Sequence, residues 1–218
     1  MLFCPMTQLR FWYRLRTREK RVASAERAFE HAVSKLTPED IAIDCGANVG
    51  DISIRLADTG ATVHSFEPDP DAFRELQERL GQQENVKLYK AAVGVREGEL
   101  PLYASNQRVS GSKTLSVSSS LFNESKRVSK EPYATVKVIN FEKFVRTLSK
   151  PPALVKIDIE GAEIELLEHF LNVGLIKSIG SIFVETHEKQ LPSLRRRTFR
   201  LIALLKDPEY ENVILDWG

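Results

Sequence analysis

The chain has 218 residues, 42% of them hydrophobic, enough to bury a real core and form one main domain with an appendage. Its 31 Lys plus Arg nearly cancel 30 Asp plus Glu, leaving a formal net charge of +1, so global electrostatics makes no case for nucleic acid or an anionic membrane. Cys4 and Cys45 are too few for a disulfide framework or a cysteine-based zinc site. With no run of 18 apolar residues and no apolar leader in MLFCPMTQLRFWYRLR, the sequence reads as soluble, unexported and cytoplasmic, with no transmembrane segment.

Residues 1–40 read as an N-terminal helical extension and 41–218 as an α/β domain. In the extension Phe11, Trp12, Leu15, Val22, Ala25, Phe29, Val33 and Leu36 recur at mostly three, four and seven residues, the period of an amphipathic helix. Arg10, Arg14, Arg16, Arg18, Lys20 and Arg21 decorate it. Such a pattern is either a phosphate-binding patch or the solvated face of a helix that packs on the domain. The second reading leaves the arginines in water.

From Ile41 strands and helices alternate. Ile41 to Cys45 predicts β1, a helix follows over about 51–58, Thr62 to Glu67 predicts β2, and a helix runs from about Pro70 to Leu80. A third strand is expected from Val86 to Val93. Residues 94–132 break the rhythm with Ser110, Ser112, Ser116, Ser118, Ser119, Ser120, Ser125 and Ser129. A long polar insertion in a compact domain reads as a lid or substrate loop. Strands are then expected over 135–139, 153–159, 181–186 and 213–215, with helices over 161–171 and from Pro192 to about Leu205. Alternation of this kind predicts a Rossmann-like, mostly parallel sheet with helices on both faces. Seven strands are expected.

The stretch IAIDCGANVGDISIRL, residues 41–56, places a glycine turn where ligands sit beyond strand ends. A dinucleotide site would show Gly-x-Gly-x-x-Gly, with pyrophosphate on the helix N-terminus. Here Asn48 replaces the middle glycine, and Asp44 would repel phosphates. S-adenosyl-L-methionine carries no phosphate: Asp44 can attract its ammonium while turn amides hold its carboxylate. Glu67, at the end of β2, can accept both ribose hydroxyl protons.

DCGANVG at 44–50, SFEPDP at 65–70, AAVG at 91–94, SSSL at 118–121, KIDIEGAE at 156–163 and VETH at 184–187 resemble, in that order, the signature of FkbM-family methyltransferases. The resemblance covers residues 41 to about 187. It implies a class I methyltransferase fold, its last strand reversed or missing, with Asp44, Gly46, Asn48 and Gly50 at the methionine end, Glu67 at the ribose and Ala92 near adenine. It also implies O-methylation of a hydroxyl, often on a sugar, glycan, glycolipid or natural product.

Alternation along a strand puts Lys156, Asp158 and Glu160 on one side. Glu185 and His187 repeat the pattern on the next strand. Asp158 and His187 are candidate bases for an alcohol nucleophile, with Glu160 orienting or helping. Glu163, in the first turn of the following helix, either acts in the site or serves the helix dipole. Asp158, Glu160, Glu185 and His187 could hold magnesium, which is not favoured because no ligand spacing is diagnostic. The expected partner is a small-molecule or glycan acceptor. Nucleic acid is disfavoured because no Asn-Pro-Pro-aromatic turn follows the central strand. A basic-helix RNA methyltransferase and a non-catalytic cofactor-binding scaffold remain as alternatives.

Overall fold

The computed structural model describes residues 5–103, 131–189 and 191–217 and, within the first helix, side chains from Tyr13 onward except at position 15. The Ser-rich segment expected as a lid, and Phe11 and Leu15 as packing residues, lie outside the described residues.

Helix α1 spans Pro5–Val33. There follow β1 (Ile41–Cys45), α2 (Asp51–Ala57), β2 (Thr62–Phe66), α3 (Pro70–Leu80) and β3 (Val86–Tyr89). Next come β4 (Ala92–Gly94), β5 (Gly98–Leu102), β6 (Ala134–Asn140), α4 (Phe141–Arg146), β7 (Leu154–Ile157), α5 (Glu163–Asn172), β8 (Ser181–Val184), α6 (Arg195–Leu204) and β9 (Val213–Leu215).

The main sheet runs β3-β2-β1-β7-β8-β9, and all five pairings are parallel. Helical crossovers impose that direction, because parallel neighbours cannot be joined by tight hairpins. Strand order reverses between β1 and β7, which opens a crevice at their carboxyl ends. Among the described residues the sheet therefore has six strands rather than seven, and no reversed strand.

Alternate residues feed two cores. Ile41, Ile43, Cys45, Val155, Ile157, Ile182 and Val184 meet Ile164 and Phe170 of α5 on one face. On the other, Ala42, Val63, Leu154 and Phe183 pack under Ala25 and Phe29 of α1, Leu56 of α2 and Trp217. Phe29 is wholly buried, its ring 5.1 Å from Phe183 and 5.0 Å from Trp217. Thus α1 covers the sheet, as the packed-helix reading expects.

Its arginines are not all left in water, however. Arg21 Nε donates to Asp216 Oδ2 at 2.8 Å, Arg14 Nε donates to Glu188 Oε1 at 3.2 Å, and Arg14 also pairs with Asp216. The acids that claim them come from the other end of the chain, beyond the reach of helical periodicity.

The expected strand 86–93 is two strands in two sheets. Ala91 N–H bonds Tyr89 C=O at 2.9 Å, turning the chain so that β4 joins a second sheet, β4-β6-β5. Helix α4, unforeseen because FEKFVR is under two turns long, starts where Asn140 Oδ1 accepts the Lys143 amide at 2.9 Å.

Candidate active site

The crevice at the β1/β7 switch encloses about 640 Å³ of space that includes its open mouth. Gly46, Asn48 and Glu67 line one side, Ala92, Val93 and Leu102 a second, and Asp158, Ile159 and Glu160 a third.

The glycine turn is sterically fixed. Gly46 has φ +81°, and a Cβ there would lie 1.8 Å from the carbonyl oxygen of Asp158. Only glycine lets β1 and β7 approach so closely. Asn48 takes a left-handed φ of 51°, a conformation asparagine tolerates better than most residues.

Asp44 does not open onto the crevice as expected. It is wholly buried; its Oδ2 accepts from Ser53 Oγ at 2.7 Å, and its Oδ1 lies 3.2 Å from Lys156 Nζ. The parallel register pairs Asp44 directly with Lys156, so the lysine claims the carboxylate first. Lys156 Nζ also donates to the Gly46 carbonyl at 2.6 Å. Burial opposes charge on this lysine, but Asp44 and Asp158 outweigh it and hold the ammonium charged beyond the ordinary lysine range. Lys156 thereby ties the glycine turn to β7, a role the strand pattern alone did not reveal.

Glu67 sits at the crevice wall, 7% exposed. Its Oε2 accepts the Asn48 amide at 2.7 Å and its Oε1 the Asp69 amide at 2.7 Å. Burial raises its pKa to about 7, against the lowering effect of both amides. Asp69 caps α3 by accepting the Asp71 amide at 2.9 Å, and its other oxygen is bonded by the Tyr133 hydroxyl.

Asp158, Glu160, Glu163, Glu185 and His187 converge at the far end. The amide of Asp158 extends the ladder to the Cys45 carbonyl at 3.0 Å, and that of Glu185 to Ile157 at 3.0 Å. Strand alternation does not carry Glu160 there: β7 ends at Ile157, and a left-handed φ of 54° at Glu160 swings it inward. His187 Nε2 lies 3.7 Å from Asp158 Oδ1 and 3.4 Å from Glu160 Oε2.

Glu163 proves central. It is wholly buried, accepts the Gly161 amide at 2.7 Å and the His187 amide at 3.0 Å, and holds His187 Nδ1 at 3.1 Å. The signal available in sequence was an acid in a first helical turn, equally suited to the dipole. Burial disfavours charge on His187, but its bond to Glu163 and the surrounding carboxylates push its pKa up to about 10. Burial and then Asp158 raise Glu185 to about 7.

This combination is a glycine turn without phosphate-binding spacing, an acid at the end of β2 and an acidic β7 end, and residues 44–211 match the methyltransferase FkbM domain. The chain belongs to the FkbM methyltransferase family. The matched region is a methyltransferase domain, and its family implies S-adenosylmethionine as the cofactor. The hexuronic acid methyltransferase AglP of Haloferax volcanii is 29% identical over 150 residues, 68% of this chain and 56% of that protein. The chain thus matches little more than half of that relative's length. A ribosomal RNA small subunit methyltransferase A of Thermotoga maritima is 39% identical over 71 residues, 31% of this chain and 25% of that one. Among solved structures, an rRNA methylase from Streptococcus thermophilus aligns over 31% of this chain and 38% of its own at 22% identity, with a TM-score of 0.29.

The crevice of this FkbM domain fits the cofactor its family uses. Asn48 Oδ1 is buried with no hydrogen-bond partner, and a carboxylate such as Glu67 has lone pairs beyond the two its amides occupy. Ala92, Val93 and Leu102 offer an apolar wall for a flat ring. Among the described residues no helix is long and apolar enough to cross a membrane.

Proposed function

We propose that the chain methylates a hydroxyl of a sugar or sugar-like acceptor, in a glycan, glycolipid or small molecule. The observation that carries this reading is the Asp158 carboxylate, 26% exposed and lining the crevice beside the glycine turn, where it can take a hydroxyl proton. The similarity to a protein named for hexuronic acid supports a sugar acceptor.

S-adenosylmethionine, when bound, supplies a methyl group on a sulfonium that a nucleophile displaces in line. Gly46, Asn48 and Gly50 would hold its methionine end, Glu67 its ribose and Ala92 the neighbourhood of its adenine. Asp44 acts beneath them, keeping Lys156 and the turn in place. An alcohol is a poor nucleophile until it gives up its proton, so alignment alone does not suffice. Asp158 accepts that proton. Lys156 Nζ lies 3.6 Å from Asp158 Oδ2. His187 positions the Asp158 and Glu160 carboxylates.

The RNA reading draws on a match covering 31% of the chain, while Arg14 and Arg21 of the basic helix are spent on Glu188 and Asp216. Labelled cofactor incubated with fractionated glycans, glycolipids, small molecules and RNA tests the proposal. Label in a carbohydrate-bearing fraction is the expected outcome; label in RNA alone overturns it.

A further inference from the structure

We propose that Asp158, Glu185 and His187 together bind a divalent cation of the magnesium or manganese class at the acceptor end of the crevice. One ligand atom from each residue lies within 4.8 Å of the others. An ion about 2.1 Å from its ligands separates opposite donors by about 4.2 Å and adjacent ones by about 3 Å, so the three side chains would draw together to complete the site.

The imidazole is already aimed. Glu163 holds Nδ1 at 3.1 Å and is itself fixed by the Gly161 and His187 amides. That leaves Nε2 facing the carboxylates, where a bound ion would take the place of its proton, in the carboxylate–histidine arrangement that orients metal ligands. His187 is 3% exposed, yet Nε2 approaches Asp158 and Glu160 only at 3.7 and 3.4 Å, beyond normal hydrogen-bond lengths. Asp158 Oδ1 is likewise buried without a hydrogen-bond partner. The spacing among the donor atoms of Asp158, Glu185 and His187 leaves room for an ion to bond all three.

Charge points the same way. Four carboxylates, of Asp158, Glu160, Glu163 and Glu185, surround one imidazole, and the nearby Lys156 is shared between Asp44 and Asp158. An anionic acceptor would meet repulsion here unless a cation intervened. One nitrogen and two oxygen donors suit manganese or magnesium, which keep remaining positions for water or substrate. Asp158 lines the open crevice, so a bound ion would be within reach of an acceptor hydroxyl, whose pKa it would lower. This last role rests on the hydroxyl-acceptor reading; the binding site does not.

Mn2+ is the probe. Titration followed by the paramagnetic resonance of free Mn2+ should show one ion bound per chain, weakened at least tenfold in Glu185→Gln. Nitrogen coupling to the bound ion should be present in the wild type and lost in His187→Gln, with S-adenosylhomocysteine binding checking that each variant folds. No Mn2+ binding at millimolar concentration, undiminished binding in Glu185→Gln, or absence of nitrogen coupling in the wild type overturns the site. Methylation of a hydroxyl without Mn2+ binding overturns the ion alone; Mn2+ binding without methylation of any hydroxyl overturns only the acceptor reading.

Discussion

The two halves of the crevice are finished to different degrees. On the β1–β2 side each acid has at least one oxygen held by a hydrogen bond: Asp44 by Ser53, Glu67 by two amides, Asp69 by the α3 amides. On the β7–β8 side Asp158, Glu160 and His187 face one another at 3.4 Å or more. A region with its polar groups matched holds shape, whereas one with converging, incompletely bonded charges holds reactivity. In the proposed reading the first half presents the cofactor and the second meets the acceptor.

The largest expected effect falls on the matched half. Lys156→Met leaves Asp44 charged and buried without its cation, which should cost about 3–5 kcal/mol of stability. Urea denaturation measures it. Adding Asp44→Asn should recover part of the loss, because the penalty comes from an uncompensated charge. If Lys156→Met is as stable as the wild type, the matched half does not depend on this pair.

Asp158→Asn breaks the other half. The shape is kept but basicity and charge go, so methyl transfer should fall roughly 100-fold or more, while S-adenosylhomocysteine affinity measured by calorimetry changes little. Full activity in Asp158→Asn would remove the base from the proposal.

Glu67 sharpens the comparison through pH. Its pKa of about 7 means that it becomes acceptor-only as pH rises through neutrality. Cofactor affinity should therefore climb between roughly pH 6 and 8, and Glu67→Gln should flatten that slope. Stability of the ligand-free protein runs the opposite way. An acid with a raised folded pKa contributes stability below its unfolded value near 4.5 and loses it as pH rises to about 7. Wild type minus Glu67→Gln should show both trends.

The β1–turn–α2 unit was legible because its chemistry is local. Apolar alternation, Gly46, Asn48 and Gly50 fall within ten residues, and steric rules fix what they build. Glu163 was half legible, since its type and helical position are local but its bond to His187 spans 24 residues. Lys156 as a tie for Asp44 was hidden, because it depends on β1 and β7 becoming neighbours across 112 positions of sequence. The six-stranded sheet and the split at Ala91 were missed for the same reason: which sheet a short strand joins is decided by packing, not by its own pattern. Glu160 reaches the site by a left-handed turn rather than by the alternation used to place it.

The smallest effect concerns α1. Arg21 and Arg14 both bond Asp216, whose left-handed φ of 65° precedes Trp217, buried against Phe29 and 5.8 Å from Lys156 Nζ. Asp216→Asn keeps a residue that tolerates this conformation and removes the charge. The pairs are partly buried, so the loss should be about 1 kcal/mol, well below that of Lys156→Met, and should shrink as salt rises. Arg16, exposed on the same helix, should be neutral to within about 0.5 kcal/mol when changed to Gln. Equilibrium binding to RNA is the measurement that could reverse the assignment. If Arg16→Gln with Lys20→Gln abolished tight, salt-sensitive RNA binding without changing stability, the helix would be a nucleic-acid surface, because phosphate contacts alone carry such a salt slope. Weak binding that the double substitution leaves unaltered fits a helix whose arginines fasten the C-terminal turn beneath the cofactor loop.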